Sequence, residues 1–319
     1  MIALQDDALV VRIDPRHGAE LLELVDAATG RQLLARTPWS SAPPQGGELD
    51  EDAWVASWRG GWQVLLPNAG NACTVGGEPH GFHGRASVDT WTVRDGASDR
   101  ASLGWTGHDL DVRRTIALCD GAVRIDTELA CSGDAPVPLV MVEHLAVGVE
   151  LLDPETEITL PSALAYELGD DGGPAVPPAR ATTWPELRLR DGTVERADHL
   201  TLDPPRSRMA ALHGLAAGWA ALRNPATGQG LALAWDVDWY AHMWLWHEAR
   251  TLGDRWREIT EVLILEPATV PHHAGLETAI RSGHVRWLAP GDVARTWIVA
   301  RPFSSSAPVR EVTTAARAR

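Results

Sequence analysis

The sequence predicts an all-β protein built as one large antiparallel β-sandwich. Apolar and polar residues alternate over many short runs, which is the period of a half-buried strand. Most of these runs end at Gly, Asp, Asn or Pro, the residues that terminate strands and form turns. Few stretches carry a 3.6-residue period, and a short helix is predicted only over residues 275–283, GLETAIRSG.

The predicted strands follow one another at hairpin-like spacing from the N-terminus. The first are LVVRID, ELLELVD, ATGRQLLA and the apolar part of RGGWQVLLPN. The central ones are SVDTWTV, RASLGWT, DVRRTIALCD, AVRIDTELAC and VPLVMVEHLAVG. The last are WAALRN, GLALAWDV, HMWLWHE, EVLILEP and RTWIVARP. So many short strands with so little helix favour a sandwich over alternating β and α units.

The chain has no break in composition and no internal repeat, so residues 1–303 are predicted to form a single domain. Residues 304–319, SSSAPVREVTTAARAR, are predicted to be a poorly ordered tail. Two long loops, residues 37–52 and 169–185, interrupt the strands. They are candidate lids, because long loops in a compact β domain are often functional.

Composition restricts the class of partner. The 319 residues carry a net charge of −15, and all 28 basic residues are arginine. This charge repels phosphate backbones and anionic lipids, so a neutral small molecule is expected rather than nucleic acid or a membrane. The N-terminus has no signal-peptide pattern, and no apolar stretch is long enough to span a bilayer. Three cysteines, few and odd in number, favour a reducing cytoplasm. The oligomeric state is left open.

The stretch from Leu65 to Trp91 is dense in turn-forming and polar residues. It is either a surface loop or one wall of a binding site. Asn68 follows the strand that ends at Pro67, and two glycines beside His83 allow the backbone to approach a ligand closely. For Asn71 and His80 the surface-loop interpretation is favoured. A metal site from Cys73, His80 and His83 is disfavoured, because the H-x-x-H spacing has no CxxC beside it.

Two strands each place one ionisable residue on an apolar face. In VPLVMVEHLAVG, alternation puts His144 on the face of Val140, Val142 and Ala146. In EVLILEP, Glu266 shares a face with Val262 and Ile264. A packed core histidine and a solvated strand end are the common explanations. The alternative is a catalytic pair, because imidazole titrates near neutral pH and a buried glutamate with a raised pKa suits general base catalysis.

The run HMWLWHEAR places Trp244, Trp246 and Glu248 on one face of a strand. Two indoles beside a carboxylate can bind a sugar, because the rings stack on C–H groups and the acid binds hydroxyls. Core packing of both indoles with Glu248 at the rim is an equally weighted alternative.

Taken together, these segments resemble the aldose 1-epimerase (galactose mutarotase) superfamily from the N-terminal hairpin to about Pro302. The matching motifs, in family order, are the strand end at Asn68 followed by HGFHGRASVDTW, then VEHLAVG, then LILEPATVP. The resemblance implies a large β-sandwich whose concave face binds a sugar, and neither a metal nor an organic cofactor. It implies His144 as general acid, Glu266 as general base, and His83 and Asn68 as sugar-binding groups.

Two positions depart from the family pattern. The arginine that commonly follows the asparagine is absent from NAGN, and Arg59 or Arg85 are candidates to supply it from elsewhere. The sugar-binding aspartate expected before the glutamate strand has three candidates: Asp236, Asp238 and Glu248. These departures leave the particular sugar open. Few arginines near the predicted site also disfavour a phosphorylated sugar.

The sequence therefore predicts an isomerase of free aldoses that binds a monosaccharide. Two alternatives remain open. A glycoside hydrolase or lyase on the same fold would use Glu266 and Glu248 as its carboxylates. A non-catalytic sugar-binding protein would rely on Trp244 and Trp246, with His144 as packing.

Overall fold

The structure is a computed structural model that describes residues 1–37, 46–200, 205–249, 251 and 261–319. Within these residues, an antiparallel sheet of thirteen strands and a second of eight form the two layers of a sandwich. The larger sheet contains one parallel pairing, near its edge. The predicted all-β sandwich is confirmed.

Strands account for most of the regular structure in the described chain. The first thirteen are β1 (Ile2–Gln5), β2 (Leu9–Asp14), β3 (Glu20–Asp26), β4 (Arg31–Gln32), β5 (Trp62–Leu65), β6 (Cys73–Val75), β7 (Glu78–His80), β8 (Thr92–Gly96), β9 (Arg100–Gly107), β10 (Leu110–Cys119), β11 (Ala122–Cys131), β12 (Val137–Leu139) and β13 (Val142–Val147). The remainder are β14 (Glu157–Thr159), β15 (Leu164–Glu167), β16 (Thr182–Thr183), β17 (Glu186–Arg188), β18 (Val194–Arg196), β19 (Arg206–His213), β20 (Trp219–Arg223), β21 (Gln229–Trp235), β22 (His242–Ala249), β23 (Glu261–Ala268), β24 (Arg286–Leu288) and β25 (Val293–Ser304).

The order of strands places distant parts of the chain side by side. The larger sheet runs β1-β2-β3-β5-β13-β23-β22-β19-β15-β17-β18, with β4 beside β3 and β16 beside β15. The smaller sheet runs β14-β20-β21-β25-β11-β10-β9-β8. Strands β5, β13, β23 and β22 thus form the centre of the larger sheet, although β5 and β23 lie about 200 residues apart in the chain.

The two sheets enclose the main hydrophobic core, to which both contribute leucine, isoleucine and valine side chains. One buried ion pair crosses this core from sheet to sheet. Arg114 on β10 donates two hydrogen bonds to the Glu143 carboxylate on β13, at 2.7 and 3.0 Å. Trp62 and Tyr240 donate to the same carboxylate at 2.8 and 2.9 Å. A buried charge with this many partners is fully compensated, so it locks β13 in one position relative to the second layer.

Two α-helices occur in the described chain. Helix α2 (Leu276–Ser282) lies between Gly275 and Gly283, which confirms the predicted short helix. Helix α1 (Glu51–Ser57) was not predicted from the sequence. It begins after Asp50, whose carboxylate accepts a hydrogen bond from the Ala53 amide at 2.8 Å. Its first two residues are the last two of the first predicted long loop, half of which lies outside the described residues.

The C-terminal segment differs from its prediction. Strand β25 extends to Ser304, and the residues after it turn back over the outer face of the smaller sheet. Val309, Val312 and Ala316 are buried there against alanine and valine side chains of that sheet. The prediction of a poorly ordered tail over 304–319 is therefore wrong, because apolar residues spaced through this polar stretch find a matching surface.

None of the helices in the described part of the chain has the length and apolar character needed to cross a membrane.

Candidate functional site

Four side chains form a row across the centre of the larger sheet, on the face turned away from the main core. They are Gln63 on β5, His144 on β13, Glu266 on β23 and Trp244 on β22. Between β13 and β23, Val142 pairs with Ala268 and Leu145 pairs with Leu265, and this register places His144 opposite Glu266. Residues opposite each other on antiparallel strands have Cβ atoms about 5 Å apart. The alternation predicted for both strands therefore brings the two ionisable residues together.

A cavity of about 320 Å³ lies above this row. Its floor includes His144 and Glu266, and its walls come from helix α1, from His83, from the loop after β15 and from the segment after β23. His83, His144 and Glu266 thus converge on one concave face, as their order and strand faces predicted. The residues that line this cavity therefore come from segments more than 200 residues apart in the chain.

Helix α1 covers the histidine side of the cavity with two tryptophans. Trp54 and Trp58 stack on each other with ring centroids 6.2 Å apart. Each presents its ring edge-on to His144, with centroids 5.7 Å away. These rings exclude water from the imidazole and so set its acid–base behaviour.

Burial gives Glu266 and His144 unusual pKa values. Glu266 is only 2% exposed, and burial raises its pKa well above the usual range of a glutamate. Burial lowers the pKa of His144 to about 3, and its Nδ1 atom is buried without a hydrogen-bond partner. Among the described residues, no hydrogen bond or ion pair to the Glu266 side chain is found. Burial therefore favours the protonated form of Glu266 and the neutral form of His144, and the environment does not favour a standing imidazolium at His144.

His83 is held in one tautomer. Its backbone φ of +61° lies in the left-handed region that favours glycine. Two contacts with Gly70 hold this conformation: the His83 amide donates to the Gly70 carbonyl, and the Gly70 amide donates to Nδ1 of His83, both at 3.0 Å. Burial lowers the pKa of His83 well below its usual value. A neutral ring that accepts at Nδ1 carries its proton on Nε2, so His83 can only donate with its remaining nitrogen.

Trp246 lines the cavity, as predicted. Its Nε1–H donates to the hydroxyl of Ser207 on the neighbouring strand β19, at 3.1 Å. Its ring centroid lies 6.4 Å from that of Trp58. Trp246 is therefore an oriented, partly exposed aromatic surface beside the acid–base pair.

The expected arginine comes from neither candidate. Arg59 pairs with Asp14 at 3.1 Å and also with Glu20, away from the cavity. Arg85 pairs with Asp89 at 3.0 Å. Both guanidinium groups bind carboxylates that do not line the cavity, so neither replaces the family arginine.

Arg190, in the turn after β17, is the cation at the rim of the described cavity lining. Its Nε atom donates to Glu167 at 3.2 Å, and its terminal nitrogens lie 3.5 Å from the carboxylate of Asp170. Asp170 belongs to the second predicted long loop, which therefore does reach the site. Two carboxylates already balance this arginine.

Two predicted substrate-binding residues lie outside the cavity because backbone groups occupy their polar atoms. The Asn68 amide donates to the carbonyls of Asn71 and Gly81, at 2.9 and 2.7 Å, and accepts from the Leu276 amide at 2.7 Å. Trp244 is fully buried and donates its Nε1–H to the Val270 carbonyl at 2.8 Å. Both residues build the walls, and their assignment as sugar contacts is corrected.

The two acidic candidates also lie elsewhere. Glu248 is fully buried, and one of its oxygens accepts hydrogen bonds from the amide and hydroxyl of Thr251. Asp236 begins the turn after β21, in the smaller sheet, and accepts from the Asp238 amide at 3.2 Å. Asp238 belongs to the same turn. Neither Glu248 nor this turn lines the cavity, so their proposed role as the sugar-binding acid is corrected.

Several cavity residues were missed. The signal for α1 was present in DEDAWVASW, where a helix-capping aspartate precedes two tryptophans four residues apart. The helix was not predicted because it has only seven residues and follows a Gly- and Pro-rich stretch. The other missed residues lie in segments that reach the cavity only through tertiary packing: Phe82, Asp170, Arg190, Ser207, Met209 and His273.

Comparisons with known proteins find similarity in structure rather than in sequence. No family model matches the chain, and no curated protein matches it. Among solved structures, the Slr1438 protein from Synechocystis sp. PCC 6803 superposes with a TM-score of 0.69 at 17% identity, covering 95% of this chain and 96% of that one. A galactose mutarotase related enzyme from Lactobacillus acidophilus gives 0.66 at 13%, covering 97% and 99%. A GalM/aldose epimerase homologue from C. elegans gives 0.63 at 14%, covering 95% and 98%.

These likenesses span nearly the full length of each chain, at identities too low to carry an activity. They show that the chain has the galactose mutarotase-like β-sandwich fold, in a divergent form.

Proposed function

We propose that this protein is an aldose 1-epimerase-like isomerase that interconverts the anomers of a free monosaccharide. Glu266 and His144 form its acid–base pair. The observation that carries the proposal is the position of these two side chains, directly opposite each other on adjacent strands at the floor of one cavity. The fold is compatible with this reaction but does not by itself specify it.

The reaction needs one base and one acid at the hemiacetal. Glu266, as a carboxylate, accepts the proton of the C1 hydroxyl while the bond between C1 and the ring oxygen breaks. His144, as an imidazolium, donates a proton to that ring oxygen. Rotation about the C1–C2 bond turns the other face of the aldehyde toward the new hydroxyl. The new hydroxyl then attacks C1 and returns its proton to His144, while Glu266 returns its proton to the oxygen on C1. The ring closes as the other anomer.

The pair holds one proton in either of two distributions. The proton lies on His144 when Glu266 is a carboxylate, and on Glu266 when His144 is neutral. Burial favours the second distribution, which accompanies the open-chain sugar in this scheme. Because the sugar relays the proton from one residue to the other, both distributions occur in each turnover without exchange with solvent.

The walls suit an amphipathic ligand. Trp246 offers an aromatic face for the C–H groups of a sugar ring. His83 offers a fixed N–H donor for one of its oxygens. The chain has three cysteines, and all are free thiols in the structure. A reducing cytoplasm is therefore the proposed compartment.

The two alternatives receive less support. A hydrolase that used Glu248 as its second carboxylate would need that side chain in the cavity, whereas it is bound to Thr251. A binding protein that relied on Trp244 would need that indole exposed, whereas it is fully buried.

The direct test is anomerisation of freshly dissolved α-anomers of glucose, galactose and related aldoses, followed by polarimetry. The wild-type protein is expected to accelerate at least one of them above the buffer rate. Glu266→Gln and His144→Asn should each lower the rate by about 10²- to 10⁴-fold, because each removes one proton transfer. The double variant should be little worse than either single one, because the two transfers are coupled.

Glu248→Gln is the matched control, since it neutralises a buried glutamate on the adjacent strand outside the cavity. It should retain activity if its thermal unfolding is unchanged. A wild-type protein that accelerates no aldose would contradict the proposed reaction. Full activity in Glu266→Gln would reject the proposed mechanism even if the reaction were confirmed.

A further inference from the structure

We propose that Gln63 is a positioning residue for the acid–base pair, which holds the indole of Trp58 against the imidazole of His144. The inference rests on the proposed function in one respect, that His144 is the acid. Gln63 is only 2% exposed and does not line the cavity. It therefore acts through Trp58 rather than by contact with a substrate.

The ring of a catalytic histidine is usually oriented by a hydrogen bond to one of its two nitrogens. In His144, the Nδ1 atom is buried without a hydrogen-bond partner in the part of the chain that the structure describes. Two indoles pack against this ring instead. Trp54 and Trp58 each stand edge-on to the imidazole, at interplanar angles of 80° and 82°. The orientation of His144 therefore depends on where these indoles are held.

The register of the larger sheet places Gln63 beside His144. The two residues pair across β5 and β13, so their Cβ atoms lie about 5 Å apart on the same face. The Gln63 amide reaches toward the end of helix α1. Its oxygen accepts the Nε1–H of Trp58 at 3.3 Å, and its nitrogen donates to the Gly60 carbonyl at 2.6 Å and to Glu20 at 2.8 Å.

These three partners fix the orientation of the amide. The indole nitrogen can only donate and the Gly60 carbonyl can only accept, so rotation of the amide by 180° would break both hydrogen bonds. Glu20 is itself fully buried and paired with Arg59, which fixes its position as well. Gln63 therefore connects a buried ion pair of the fold to Trp58 in the wall of the cavity.

Loss of the Gln63 amide should release the Trp58 ring and admit water to His144. Because burial lowers the pKa of His144 to about 3, access of water should raise that pKa toward the ordinary value of a histidine. Among the described residues, the titratable groups that face His144 are Glu266 and His83, whose ring centroid lies 5.5 Å away. Neither group is changed by a substitution at Gln63.

The test is a double-mutant cycle measured at His144 itself. Gln63→Met keeps the approximate volume of the side chain but removes the amide, and Trp58→Phe keeps an aromatic ring but removes the N–H. NMR would follow the imidazole resonances between pH 4 and pH 7. His144 should stay neutral in the wild type, and its pKa should rise by at least about one pH unit in each variant. The double variant should show little further rise, because both substitutions remove the same hydrogen bond.

Gln32→Met is the matched control. Gln32 on β4 belongs to the same sheet and also bonds to backbone groups, the Leu22 carbonyl at 3.1 Å and the Leu24 amide at 2.9 Å, but it does not line the cavity. This control should lower thermal stability and leave the titration of His144 unchanged. The anomerisation rate should fall about ten-fold in Gln63→Met but not in Gln32→Met, because an imidazole that is free to turn is less often aligned with its substrate.

The outcomes separate the inference from the proposed function. An unchanged pKa of His144 in both Gln63→Met and Trp58→Phe would overturn the inference alone, as would two effects that simply add in the double variant. If Gln63→Met does not fold, Trp58→Phe still tests the same hydrogen bond at His144. A wild-type protein that accelerates the anomerisation of no aldose would overturn the proposed function, whatever the pKa of His144 in the variants.

Discussion

Glu266 occupies a position that favours the reaction at a cost to the fold. A carboxyl group in an apolar setting with no charged partner is stable only in its protonated form. The burial that raises the pKa of Glu266 also lowers that of His144, so the surroundings favour the uncharged form of each residue. Such mutual displacement of pKa values is typical of acid–base pairs in catalytic sites.

This arrangement predicts that Glu266→Gln stabilises the protein at high pH. In the unfolded chain Glu266 ionises near pH 4.3, whereas its folded pKa is raised. Below the unfolded pKa both states are protonated, and its contribution to stability is fully present. As pH rises toward the folded pKa, the unfolded state alone loses the proton, and stability falls by about 1.4 kcal/mol per pH unit. Glutamine removes this loss.

The measurement is thermal unfolding of both proteins between pH 5 and pH 8. The melting temperature of Glu266→Gln relative to wild type should rise across this range by at least about 2 °C. The exposed Glu277 on helix α2 provides the control, since Glu277→Gln should give a difference that does not depend on pH. A constant offset for Glu266→Gln would mean that the folded protein holds this carboxyl ionised.

Helix α1 depends on its tertiary contacts. Seven residues are too few for a stable isolated helix in water. Trp54 is buried and donates its Nε1–H to Ser87 at 3.0 Å. Glu48, two residues before the helix cap, accepts hydrogen bonds from the Gly81 amide and from His108 Nε2, the latter at 3.0 Å. Glu48 therefore joins the cover of the cavity to the turn between β9 and β10.

Removal of this connection should loosen the cover. Glu48→Ala loses two hydrogen bonds to a charged acceptor, each worth about 1.5–3 kcal/mol. Amide hydrogen exchange over residues 51–58 should therefore become at least about ten-fold faster, and sugar binding should weaken. Glu78→Ala is the control, because Glu78 is largely exposed and lies 3.7 Å from the other nitrogen of His108. Equal exchange in the two variants would show that Glu48 does not hold the helix.

At the scale of the whole molecule, one layer of the sandwich carries the site and the other supports it. The Arg114–Glu143 pair connects the layers at the residue next to His144. The outer face of the supporting sheet is covered in turn by the C-terminal segment. Deletion of this segment would expose a surface of alanine, valine and tryptophan side chains, so it is an integral part of the fold.

A single charge inside this contact should destabilise the protein. Val312 lies in the C-terminal segment and is 5% exposed, and Val312→Asp should lower the free energy of unfolding by about 2 kcal/mol or more. Val293→Asp makes the same change at the exposed start of β25, where an effect within about 0.5 kcal/mol is expected. Urea unfolding of the two variants measures the difference. Equal midpoints would mean that the C-terminal contact contributes little to stability.

The sequence alone determined the features that depend on local periodicity. Alternation along EVLILEP and VPLVMVEHLAVG was sufficient to place Glu266 and His144 on the faces they occupy, since a strand allows only two faces. The glycine-bounded helix α2 followed from the same local signals. Alternation also selected a face for Trp244 and Trp246, but it could not determine which of the two would be covered.

The tertiary structure alone decided which polar atoms remain available to a ligand. Asn68 and Glu248 have suitable chemistry, but the Leu276 and Thr251 amides use their oxygens. Trp54 and His273 reach the cavity from segments whose local pattern does not show which other parts of the chain they will pack against. The physical reason is that side-chain direction is set by neighbours one or two residues away, whereas hydrogen-bond occupancy and burial are set by chain segments that meet only after folding.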